Sequence, residues 1–311
     1  MAPDTTFHDV FSEVLHRYSI SAVNDTIIVF SDQVSENNPY RFKAYSTNTF
    51  NYLGAFIRNG RGPGEMLSPR MVSDNANEEC LCLATSDYAS YIVDVEKSIE
   101  TGQTAVVHRY DLPSGTIDWL PLSDSEHFIL QKENRELVFH TIAPDGTVHR
   151  TFPLYKGLDH DRYMTHLSSI LVNNGKTGQV AEVMLMFPQI NFIDTHSEKV
   201  YSVAVNKDYR KWQSVLDRMF DAEMVQYYDG ATATSDYIFA IYRCLPLGKF
   251  NNPDYGSSIH VFDWDGKFLY DVRVAENISY ITFDKRSGFL YCITKPEDLV
   301  VRYDLGGLLG K

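Results

Sequence analysis

A weak internal period constrains this chain more than any single residue does. Six segments share one grammar: a short apolar strand, a polar turn, a second apolar strand, then a strand–turn–strand hairpin. They open at "SISAVNDTIIVFS" (Ser19), "MVSDNANEECLCLATS" (Met71), "IDWLPLSDSEHFILQ" (Ile117), "SSILVNNGKTGQVAEVMLMF" (Ser168), "MVQYYDGATATSDYIFAIY" (Met224) and "ISYITFDKRSGFLYCIT" (Ile278). Starts roughly 45 to 55 residues apart are the spacing of propeller blades, each a four-stranded antiparallel sheet. The hairpins recur in "ELVFHTIAPDGTVHRTFPL" and "SIHVFDWDGKFLYDVRV", where Asp145-Gly146 and Asp265-Gly266 suit tight turns because glycine readily takes positive φ. The expectation is an all-β, six-bladed propeller of four-stranded antiparallel blades, with residues 1–311 as a single domain.

The chain ends predict how such a ring closes. After "DLVVRYDL" only "GGLLGK" remains, too little for a clear fourth strand, whereas the first unit has a surplus segment, "HDVFSEVLH", ahead of Ser19. An N-terminal strand that completes the last blade closes the ring and hides its edges. One stretch breaks the β pattern. In Lys207 to Met224, Trp212, Val215, Leu216 and Met219 recur at helical spacing, which predicts one inserted helix near 207–222, packed on the propeller or serving as a lid. "PLGKFNNPDYGSS" reads as a second insertion, a flexible loop.

Composition narrows the partners. Aromatic residues reach 13%, with 20 Tyr and 18 Phe, an enrichment that favours strands. The net charge of -13 provides no positive footprint for nucleic acid or anionic membrane. Of the four cysteines, Cys80 and Cys82 lie on one face of a strand and are expected as buried thiols, with no disulfide framework. No apolar run is long enough to span a membrane, and "MAPDTTFHDVF" is not a signal peptide. Either the protein stays in the cytosol, if Met1 is the native start, or an export leader has been trimmed.

The loop "RNGRGPGEM", Arg58 to Met66, followed by Pro69, and the unit ends "VFDWDGKFLYDV" and "LYCITKPEDLVVRYDL" resemble the TolB-like six-bladed β-propellers. The resemblance covers nearly the whole chain. The loop departs from the family's first glycine, with Asn59 in a position that Asn tolerates. Relatives in shape include the NHL-repeat propellers. The family includes many exported, often lipid-anchored bacterial proteins, so the resemblance implies a periplasmic or cell-surface address. It implies no reaction, because propellers host binding, scaffolding and catalysis alike.

No reaction motif emerges from the residues. "GRGPGEML" lacks the Lys and Ser/Thr of a P-loop, and Gly60, Gly62 and Gly64 give GxGxG with no helix behind them rather than a dinucleotide fingerprint. An anion could sit on the amides beside Arg58 and Arg61; the alternative is a turn stiffened by Pro63, with Arg61 and Glu65 paired to neighbours. GxSxG is absent. Ten histidines are scattered, and the best local cluster is "HDRYMTH", with His160 and His166 beside Asp159 and Asp161. "DGATATSD" and "DNANEE" are acidic without the spacing of a calcium loop.

Candidate ligand-binding positions are Arg17, Arg70, Asp118, His166, Gln226 and Asn277, placed on the inner strands at the channel, together with Arg61 on the rim. This mixed set is a poor cage for a hard cation and suits a polar or anionic organic ligand better. The reading is a non-catalytic propeller, monomeric, with no cofactor, no metal and no catalytic residue assigned, recognising a protein partner or a small polar ligand at the channel face. The alternatives are a metal-dependent hydrolase of the gluconolactonase type and a structural or sensory module.

Overall fold

The computed structural model describes residues 1–7, 10–14, 16–72 and 80–310. His8 and the acidic stretch "DNANEE" fall outside them. Six sheets are arranged as blades, and each sheet is antiparallel throughout except for one short parallel pair. The inner strands are Ser19–Val23, Arg70–Met71, Thr116–Ser123, Ser169–Asn173, Val225–Ala233 and Ile278–Asp284 for blades 1 to 6. The inner strand of blade 1 packs against that of blade 6, which closes the circle. A direct bond crosses this seam, from the Ala22 amide to the Thr282 hydroxyl at 2.8 Å.

Closure uses the N-terminus, as the surplus segment predicts. Thr5–Phe7 pairs antiparallel with Val300–Asp304 as the outer strand of blade 6. Arg302 fixes the joint by ion-pairing with Asp4 and lying over the Phe289 ring at 3.9 Å. The core is a set of seams between blades. Phe42, Phe56, Leu83 and Val93 fill the seam of blades 1 and 2, and Phe239, Ile259, Leu290 and Val301 fill that of blades 5 and 6. Alternation along each strand sends apolar side chains to both faces, so every blade is buried on both sides.

The insertion between blades 4 and 5 is helical over a shorter span than its periodicity suggests. Lys207–Lys211 is a 3-10 turn and Trp212–Leu216 a single α turn. Leu216 is buried and the Trp212 ring lies tilted against Phe187 with centroids 4.2 Å apart, but Met219 is 84% exposed. Only the first part of the apolar stripe therefore meets the propeller, and the helix stops where that contact ends. A second helix, Val95–Thr101, joins the last two strands of blade 2, with Asp94 capping the Lys97 amide and Gly102 in the left-handed region.

"RNGRGPGEM" leaves the outer strand of blade 1, Tyr52–Asn59, and returns as Glu65–Met66, a fifth strand parallel to it. The Glu65 Oε2 accepts from the Gly62 amide at 2.8 Å. A Cβ on Gly60 would come 2.0 Å from that same oxygen. The chain's own carboxylate thus occupies the amide cradle where an anion was considered. Of the two residues expected to pair with neighbours, Glu65 does so through the Gly62 amide, and Arg61 stays exposed.

Candidate functional site at the crossover face

The N-terminal ends of the inner strands, the crossovers that enter them and the loops between second and third strands all lie on one face. The sheet order requires this, because alternate strands run in opposite directions. The sequence-chosen residues lie on this face in three places.

Arg17, Gln226 and Asn277 gather at the channel mouth. Arg17 is half-buried and donates to the carbonyls of Asp298 and Phe11 at 2.7 and 2.9 Å. The Gln226 amide donates to the Tyr228 carbonyl and to Asp229 Oδ1 at 2.8 and 3.1 Å. Asn277 is buried and donates to the carbonyls of Phe250 and Asn252. That pair of bonds pins the insertion expected as a flexible loop against the mouth. Arg70 and Asp118 come together at one side of the mouth, 3.1 Å apart. His166 is buried behind them, its Nε2 donating to the Arg218 carbonyl at 3.0 Å, so it ties the insertion to the crossover into blade 4. Arg61 is exposed on the outer rim, beside Asp87 and Tyr91.

The channel itself is a cavity of about 260 Å³. Small residues line it, among them Ser19, Ser21, Ala231, Thr232 and Thr282, and among the described residues its one charged lining group is Asp229. Sequence reading passed over Asp229. Two bulges on the inner strand of blade 5, on either side of Tyr228, re-aim this part of the strand, and Gly230 then approaches blade 6 so closely that a Cβ would meet the Ser279 carbonyl at 2.9 Å. Behind Asp229 stands Arg243, whose side chain is 1% exposed and whose Nη1 is 3.0 Å from Asp229 Oδ2. Arg243 also lies over the Phe250 ring at 4.3 Å.

Burial pushes the Asp229 carboxyl up to about 6, and Arg243 and the Gln226 bond hold it from going further. Tyr280 lines the cavity, its phenol also pushed up by burial, with Lys295 over its ring at 5.6 Å and Lys295 paired to Asp298 at 2.9 Å. Among the described residues, four buried polar atoms here have no hydrogen-bond partner: Arg17 Nε, Arg243 Nε, Asn277 Oδ1 and Ser279 Oγ. A lone Arg in the apolar strand "IFAIYRCLP" and a lone Asp before Gly in "VQYYDGATA" were the available signals. Among the described residues, no three His, Cys, Asp or Glu side chains gather as metal ligands.

Residues 5–286 match the family described as TolB-like 6-blade propeller-like. The chain belongs to the TolB-like propellers. No curated protein matches it in sequence. Among solved structures, it is similar to a member of the DUF4221 family from Bacteroides vulgatus, with a TM-score of 0.58 and 10% identity over 93% of this chain and 91% of that one. It is also similar to Raptor from Chaetomium thermophilum, with a TM-score of 0.50 and 12% identity over 93% of this chain and 27% of that one. At such identities the likeness is one of fold. Propellers of this kind commonly serve as binding or scaffold domains, and the TolB-like family name carries no reaction.

Proposed function

We propose that this TolB-like propeller is a binding module that takes a small polar ligand at the crossover-face mouth of its channel. Asp229, Tyr280 and Lys295 supply the contacts, and Arg17, Gln226, Asn277 and Arg243 hold them in place. Asp229 on the cavity wall, paired with the buried Arg243 behind it, carries this reading. A buried ion pair is weak as a source of stability, so its place beside unpartnered polar atoms supports a role toward a ligand. Family membership supports an address outside the cytosol, and the channel's small volume supports a metabolite rather than an inserted protein segment.

The test is a thermal-shift screen of small sugars, polyols and organic acids against the protein and Asp229→Asn. Compounds that bind at the mouth should stabilise the former and lose most of that effect in the variant. Equal stabilisation of both would remove the site from the channel. The second reading, a metal-dependent hydrolase of the lactonase type, is favoured by one observation: a carboxyl near 6 is placed for general acid–base work close to neutral pH. About one divalent ion per chain by elemental analysis, lost in Asp229→Asn, would put the hydrolase ahead.

A further inference from the structure

A second cavity, of about 260 Å³, lies between blades 2, 3 and 4 and shares no lining residue with the channel. Its floor is apolar, made by the buried side chains of Leu130, Leu137 and Leu167. Its rim carries a cation and an anion side by side, Arg70 and Asp118, both reaching solvent. His160 also borders it, buried, with no hydrogen-bond partner for its Nδ1; Asp161 Oδ1 stands 3.6 Å from that nitrogen, beyond bonding distance.

We infer that this cleft binds a free α-amino acid with a branched aliphatic side chain, its carboxylate on Arg70, its ammonium on Asp118 and its side chain on the three leucines. A lone arginine would select a carboxylate, and a lone aspartate an amine. Set side by side over an apolar floor, the two match a molecule that carries both charged groups on one carbon. Among the described residues, Arg70 uses only Nη2 for its bonds to Asp118 Oδ1 and the Ile117 carbonyl, and a guanidinium has five N–H donors. The Arg70 and Trp119 amide bonds to Asp118 both fall on Oδ1 of a two-oxygen carboxylate. An exposed ion pair is worth little in water, so extending it to a ligand costs little. The volume suits one amino acid and falls short of a drug-sized molecule.

Isothermal titration with L-leucine tests this on the intact chain. Leucinamide, which lacks the carboxylate, and 4-methylpentanoate, which lacks the ammonium, should each bind roughly tenfold more weakly or worse. Arg70→Gln should erase the preference for leucine over leucinamide, and Asp118→Asn the preference over 4-methylpentanoate, with unchanged melting to show that both variants fold. Equal affinity for the three compounds, or no heat with leucine at about 10 mM, would overturn the proposal, and the analogue series does so without any variant.

Discussion

His127, in the second strand of blade 3, lies 4.3 Å from Tyr110 and 5.6 Å from Trp119 by ring centroid, and neither of its ring nitrogens has a hydrogen-bond partner. Burial pulls it down to about 4, and His260 is pulled down to about 4 in the same way. A histidine depressed in the fold stabilises above its unfolded value of about 6.5 and loses that contribution as pH falls toward 4. Asp229 acts with the opposite sign: raised to about 6, it favours the fold at low pH, and that contribution is lost as pH rises through 6. Burial raises the Glu182 carboxyl in the same direction as Asp229, whereas hydrogen bonds lower Asp4, Asp145, Asp161, Asp194 and Asp208, which lose stabilisation in acid as the two histidines do, so the melting temperature should fall between pH 6.5 and 4. His127→Phe, which keeps the packing and removes the proton site, should flatten that fall and cost under about 1 kcal/mol at pH 8. An unchanged acid slope in differential scanning calorimetry would exclude His127 as a cause. The sequence pointed to His160 and His166 rather than to His127 and His260, because burial, which decides their chemistry, comes from strands far away along the chain.

Elements were more legible than sites. Strand alternation and the Asp-Gly turns located the outer hairpins of blades 3 and 5, and Gly146 and Gly266 do take positive φ. The surplus N-terminal segment predicted closure, although the paired residues, Thr5–Phe7, precede the segment that drew attention. Removing residues 1–7 strips the outer strand from blade 6, frees Arg302 from Asp4 and bares an edge. The melting temperature should drop by several degrees, on the order of 2 kcal/mol or more, and the variant should aggregate on heating. Unaltered melting of the truncated chain would show that the ring does not depend on this strand. The sequence gives little sign of the helix Val95–Thr101, because about two α turns inside a β unit leave almost no period, although Asp94 and Gly102 are proper caps.

At the scale of the molecule, blades bury their apolar faces only against neighbours, so none has a core of its own. Calorimetry should therefore show one cooperative transition for residues 1–311, with matching calorimetric and van't Hoff enthalpies. Two resolved transitions would argue against a single domain. The sequence by itself determined the number of blades, their strand content and the means of closure, because these follow from local periodicity and turn chemistry. Only the tertiary structure decided what each polar residue does. It joined Arg70 to Asp118, turned His166 onto the insertion, filled the "RNGRGPGEM" cradle with Glu65, and brought Asp229 to the channel wall with Arg243 behind it. Those outcomes depend on bulges and on contacts between distant blades, which a repeat pattern does not encode.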